Sequence, residues 1–109
     1  MDMVERYGIY WVNLDPTIGK EMKKVRPCVV LSPNEANKFM NTVVIAPITS
    51  TLRSLPMRLS LTLKEKHGQI ACDQIRCIDV KRMGKKIHRL SEPQQIKLRK
   101  ILSEFLVEE

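Results

Sequence analysis

No run in this 109-residue chain approaches the roughly eighteen consecutive apolar residues of a membrane span. The first six residues, Met1-Asp2-Met3-Val4-Glu5-Arg6, hold no apolar stretch of signal-peptide type, so a cytoplasmic protein is expected. Cysteine is scarce and odd in number: Cys28, Cys72 and Cys77. The Cys72-x4-Cys77 spacing is not that of a zinc knuckle, and His67 and His88 complete no ligand pattern with it. No metal and no cofactor are therefore expected, and the thiols read as free, buried groups in a reducing compartment. Internal repeats, low-complexity stretches and linkers are also missing, as is any strand–helix–strand rhythm, which argues against a doubly wound parallel sheet. The length suits one domain with a modest core, for which dimerisation is a common way to bury more surface.

Positive charge is plentiful. Nineteen Lys and Arg against twelve Asp and Glu give a net charge of +7, which on a small chain favours a polyanionic partner. With 43% hydrophobic and 28% charged residues, the rest of the composition is that of an ordinary globular protein.

The pattern along the chain reads mostly as strand. Residues 7–14 are rich in aromatic and β-branched side chains and end at the turn signal Asp15-Pro16. Residues 26–32 carry the continuous apolar run Val29-Val30-Leu31, which fits a strand buried on both faces. Ser32-Pro33-Asn34-Glu35 reads as a capping box opening a short helix over 33–39. Residues 42–48 form another apolar strand, with Pro47 as a break. Strict alternation over 57–63 predicts a half-buried strand with Arg58, Ser60 and Thr62 on its polar face. A turn over 64–68 and a strand over 69–75 follow, then a short turn or helix near 78–82 and a short strand over 86–90. Ser91-Glu92-Pro93-Gln94 is a second capping box, opening a helix with Leu98, Ile101, Leu102, Phe105 and Leu106 on one stripe. The sum is a mainly β chain: a small, strongly bent sheet or barrel with a C-terminal helix.

The segment between the first two strands carries the chemistry. Window 20–26 sets one carboxylate, Glu21, among four cations, Lys20, Lys23, Lys24 and Arg26, beside Gly19. Such neighbours favour the charged form of Glu21 and leave it free to act as a general base. A guanidinium at Arg26, fixed by the start of a strand, suits a phosphoryl oxygen whose charge grows in a transition state. Thr49-Ser50-Thr51 offers hydroxyl donors at a strand end, and Asp73, Gln74 and Arg76 add polar groups in a strand-like run. Spacing permits these groups to share one site if their strands end at one rim.

At these residues the chain resembles the MazF/PemK toxins. Residues 8–21 look like that family's opening strand and loop. Arg26-Pro27-Cys28-Val29-Val30-Leu31-Ser32-Pro33 looks like its Arg-Pro strand, Ala46-Pro47-Ile48-Thr49-Ser50 like its Pro-x-Thr-Ser segment, and residues 73–79 like its Asp-Gln-x-Arg segment. The resemblance implies a small SH3-like β-barrel of the CcdB/PemK type with a C-terminal helix, forming a homodimer. It implies the toxin of a type II toxin–antitoxin system, bound by a cognate and usually acidic antitoxin. The implied activity is metal-independent, sequence-specific cleavage of single-stranded mRNA. The 2′-hydroxyl attacks phosphorus and leaves 2′,3′-cyclic phosphate and 5′-hydroxyl ends. The carry-over makes Glu21 the general base, Arg26 the stabiliser of the phosphorane, and Thr49 a contact to the scissile phosphate. Lys20, Ser50, Asp73 and Gln74 match positions lining the RNA groove.

Two positions depart from the family pattern. Lys20 stands where some members carry a histidine, and Ala71 where some carry an arginine that serves as the acid. The acid role thus falls to Arg26, although a guanidinium holds its proton far above neutral pH and is better suited to electrostatic stabilisation. Two other function classes stand beside the nuclease: a gyrase poison of the CcdB type, and an RNA-binding module that does not cut. The chain ends Phe105-Leu106-Val107-Glu108-Glu109, without the Trp-containing tail expected of the first.

Overall fold

The computed structural model of the chain describes residues 3–14 and 25–108. Seven strands and two helices follow in the order β1 (Gly8–Asn13), β2 (Val25–Val30), α1 (Asn34–Phe39), β3 (Thr42–Thr49), β4 (Arg58–Leu63), β5 (Lys66–Ala71), β6 (Arg76–Asp79), β7 (Met83–Arg89) and α2 (Glu92–Leu106). All recorded pairings are antiparallel, and the sheet runs β4-β5-β3-β2-β1-β7 with β6 on β3. It curls into a half-barrel, as the expected small barrel with a C-terminal helix requires.

Cys28–Val30 of β2 and Val43–Ile48 of β3 turn side chains into cores on both faces, which is why these stretches run apolar without a break. Ile9, Val29, Ala46 and Ile48 face one core, shared with Leu59, Leu61 and Ile70 of the β4–β5 hairpin and with Leu98 of α2. Their alternate neighbours Tyr10, Val12, Cys28, Val30 and Ile45 face a second core with Val43 and Ile78. The Ser91 hydroxyl accepts from the Gln94 N–H, and the Ser91 N–H donates to the Gln94 side chain, so the second capping box forms as expected. Leu98, Ile101 and Leu102 pack on the first core, while Leu106 is 61% exposed, so the apolar stripe outruns the sheet it covers.

Several local expectations are corrected. The capping box at Ser32 does not form; helix α1 starts after Pro33 with no side-chain cap. Ser32 Oγ instead donates to Asn37 Oδ1 and accepts from the Val44 N–H, tying α1 to β3. Pro47 does not break β3. Val44 accepts from the Leu31 N–H, so even-numbered residues of β3 point their backbone groups at β2 and Pro47 points away from it. On that side β6 pairs only as far as Ile45 and β5 begins at Ile48, so the missing N–H falls at the seam between them. Residues 69–75 are not one strand: β5 ends at Ala71, and a 3₁₀ turn over Cys72–Gln74 carries the chain across that seam to β6. Cys28 and Cys72 are buried as expected, but Cys77 is exposed. The turn near residue 64 is a tight one: Lys64 and Glu65 take φ of 49° and 67°, between Leu63 and its partner Lys66. No helix among the described residues is long and apolar enough to cross a membrane.

Candidate active site

The β2–β3 register pairs Val30 with Ile45, Val29 with Ala46 and Cys28 with Pro47. Continued two positions, it sets Arg26 against Thr49. Arg26 is itself paired with Val12 of β1, Thr49 with Gln69 of β5, and Gln69 with Ser60 of β4. One cross-strand row, Val12–Arg26–Thr49–Gln69–Ser60, therefore runs over five strands, and residues directly opposite in a row share a face. The recorded β2–β3 pairing ends at Cys28–Pro47, but its register and the hollows that both residues border bring Arg26 and Thr49 to one rim although 22 residues separate them in sequence.

They meet in a cleft of about 430 Å³ lined by Leu14, Arg26, Pro47, Thr49, Thr51, Arg53, Arg58, Gln74 and Arg76. This cleft lies over the β5–β6 seam. Four arginines contribute to it and no described carboxylate does. No described carboxylate lies within ion-pair distance of Arg26, Arg53 or Arg76. Thr49 Oγ1 accepts from the Thr51 N–H at 3.1 Å, so its hydroxyl proton remains available for an acceptor in the cleft.

Arg58 was expected on a polar, solvent-facing side of β4. It does point away from Leu59 and Leu61, but its side chain is only 2% exposed. Residues 51–53 and the 3₁₀ turn close over it. Its Nε and Nη2 make a fork to Asp73, at 2.7 Å to Oδ1 and 3.1 Å to Oδ2. Its Nη1 donates to the Thr51 carbonyl at 3.2 Å and to Gln69 Oε1 at 3.3 Å. The Arg58 hydrogen bonds hold the Asp73 carboxyl below the usual carboxylate range, and burial opposes them only in part.

The remaining sequence candidates are distributed as follows. Gln74 lines the cleft, whereas Asp73 is not a lining residue and serves as the counter-ion of Arg58 behind it. Ser50, one step past Thr49, opens on the opposite face of the sheet. It belongs to a second hollow of about 520 Å³, with Trp11, Pro27, Ile48, Leu63, Ile87, Lys64 and Lys66. Arg26 and Thr49 border both hollows. Lys20 and Glu21 lie outside the described residues. Arg53 and Arg58 are cleft residues that sequence reasoning missed. Arg53 sits in an apparently ordinary loop, and alternation alone cannot show that a loop covers Arg58. Burial pushes the Cys28 thiol up to about 12 and the Cys72 thiol up to about 11, so neither supplies a thiolate at neutral pH. Among the described residues no group of His, Cys, Asp and Glu is placed to hold a metal ion.

A family model described as PemK-like, MazF-like toxin of type II toxin-antitoxin system matches residues 5–106. The chain belongs to that family. It is 32% identical over 102 residues to Endoribonuclease MazF of Staphylococcus epidermidis, covering 88% of this chain and 85% of that protein. It is 31% identical over 102 residues to Endoribonuclease EndoA of Bacillus subtilis (strain 168), covering 88% of each. Among solved structures, MazF (Form-I) from Deinococcus radiodurans superposes with a TM-score of 0.80 at 23% identity, over 97% of this chain and 98% of that one. The MazE–MazF complex (Form-II) from the same organism gives 0.80 at 23% identity over the whole of both chains. These structural likenesses establish the MazF-like fold.

Proposed function

We propose that this chain is an endoribonuclease toxin that cuts single-stranded mRNA at a short sequence, without metal, and so arrests translation and growth. The observation that carries the reading is the row that joins Arg26 to Thr49 at a cleft rich in guanidinium groups. Curated relatives above 30% identity named as endoribonucleases support the reaction class.

Chemically, the cleft needs only an RNA strand and a base. The 2′-hydroxyl loses its proton to the Glu21 carboxylate and its oxygen attacks the adjacent phosphorus. Arg26 neutralises the charge that builds on the phosphoryl oxygens, and the Thr49 hydroxyl donates to one of them. The bond from phosphorus to the 5′ oxygen breaks, and that oxygen takes a proton from water. A 2′,3′-cyclic phosphate and a 5′-hydroxyl remain. Gln74, Arg76 and Lys20 hold the flanking strand. Arginines track a backbone through charge and stack on bases through their planes. In the cytoplasm, a cognate acidic antitoxin would cover this positive cleft, and a homodimer would carry two such sites.

The test uses a short single-stranded RNA library and the same sequences as DNA, with EDTA present. Cyclic-phosphate ends on RNA, intact DNA, and loss of cleavage in a folded Arg26→Ala variant are expected. Cleaved DNA, a metal requirement, or an active Arg26→Ala variant would overturn the mechanism.

A further inference from the structure

Gln69 is a buried polar residue whose carboxamide is used almost entirely on one loop residue. Its Oε1 accepts from the Arg53 N–H at 3.0 Å, and its Nε2 donates to the Arg53 carbonyl at 3.0 Å. This pair of bonds imitates a β-bridge and fixes the backbone of Arg53. The reverse assignment of the carboxamide would point an NH2 group at two donors, the Arg53 N–H and Arg58 Nη1, so the orientation is determined. Arg58 completes the device. It donates to the same Gln69 Oε1 and to the Thr51 carbonyl, and its fork on Asp73 anchors the turn that presents Gln74.

We propose that Gln69 and Arg58 form a positioning clamp that holds the Arg53 guanidinium in the cleft for the phosphate backbone beside the scissile bond, with Asp73 as a strut of the clamp and not an RNA contact. The inference rests on the RNA-cleaving reading. Loop side chains normally lose much of their binding advantage to ordering entropy, and Arg is rich in rotamers. Fixing the backbone of Arg53 before RNA arrives removes part of that loss. Neither Gln69 nor Asp73 has to touch the strand for this to work. The clamp is also built next to the chemistry, because Gln69 is the cross-strand partner of Thr49.

The experiment is a double-mutant cycle on cleavage of a short RNA, with kcat and KM separated, using Gln69→Leu, Arg53→Ala and the double variant. Thermal melting and amide hydrogen exchange at Arg53 are measured alongside. Gln69→Leu should raise KM about tenfold, the loss of roughly one well-placed charged contact, with kcat nearly kept. In the Arg53→Ala background the same change should cost less than about twofold, because its target is gone. The Arg53 amide should lose protection in Gln69→Leu while the β3 amides keep theirs. Equal cost in both backgrounds, or an unchanged Arg53 amide, overturns the clamp. If the wild type cuts no RNA, the functional reading falls, and the same cycle on RNA binding judges the clamp.

Discussion

Arg26 of β2 and Thr49 of β3 stand on one cross-strand row, so the guanidinium and the hydroxyl reach the same cleft from neighbouring strands. The Thr49 oxygen is already engaged as an acceptor by the Thr51 N–H, which leaves its proton free to be donated. Thr49→Val keeps the strand and the shape but removes the donor, together with the exposed acceptor of the Thr51 N–H. Cleavage should fall by about 10²–10³, the effect of deleting one donor to a developing oxyanion, with melting nearly unchanged. Thr49→Ser should restore most of the rate. The check is single-turnover cleavage beside a thermal melt; a Val variant that cuts at the wild-type rate removes Thr49 from the mechanism.

Gly68 guards the same residue from behind. A Cβ there would stand 3.1 Å from Ile48 Cγ2 and 3.1 Å from the Thr49 carbonyl oxygen. The side chain can shift, but the carbonyl belongs to a strand held at this end by its pairing with β5, where Thr49 faces Gln69. Gly68→Ala should therefore push the end of β3 by a few tenths of an ångström and cost about 1–3 kcal/mol of stability. Cleavage should drop more than the melting change explains, because reacting geometry tolerates little displacement. Denaturant unfolding and cleavage measured on one preparation decide it.

How far the sequence reaches is visible at particular residues. The two-faced burial of the ends of β2 and β3 that meet the cores is written in the runs Cys28–Val30 and Val43–Ile48, and the α2 cap in Ser91 and Gln94. Arg26 and Thr49 could be joined only by resemblance, because the register that unites them is set by Cys28–Pro47 and its neighbours, not by local pattern. Arg58 shows where periodicity stops: its face is correctly opposite Leu59, yet residues 51–53 and the 3₁₀ turn bury that face. The 3₁₀ turn replaces the strand expected through Asp73 and Gln74, yet Gln74 lines the cleft with Arg76 while Asp73 lies behind it on Arg58.

The Arg58–Asp73 fork gives a pH signature. The carboxyl of Asp73 is held below its ordinary range, so the fork contributes stability above that range and loses it as pH falls through the lowered value. Asp73→Asn removes the charge but keeps the shape. At pH 7 the wild type should exceed it by about 1–2 kcal/mol, the scale of a hydrogen bond to a charged group. The gap should hold down to about pH 5 and close in acid below about pH 4. Urea unfolding of both proteins across that range tests this, and a gap that stays open at the acid end would show that the fork is not its source.

The hairpin turn between β4 and β5 offers a gain of stability. Lys64 and Glu65 both sit at positive φ, the pattern of a type I′ turn, where Asn-Gly is preferred and longer side chains are strained. The Cβ of each clashes with backbone in that region, at roughly 1 kcal/mol or more per residue. Replacing the pair by Asn-Gly should relieve most of this while the register from Leu63–Lys66 to Arg58–Ala71 stays fixed. The opposing cost is the extra freedom of glycine in the unfolded chain, of about 0.5–1 kcal/mol. A net gain of about 1 kcal/mol is expected, raising the melting temperature by about 4 °C for a chain of this size. Lys64 also borders the hollow on the Ser50 side, so the substitution removes one positive charge from its rim. Glu65→Gly alone separates the two effects. It should deliver the larger part of the stability with Lys64 in place, and RNA binding should then keep its salt dependence, whereas the double change should lower the slope of log K against log salt by up to about 0.7 if Lys64 meets a phosphate.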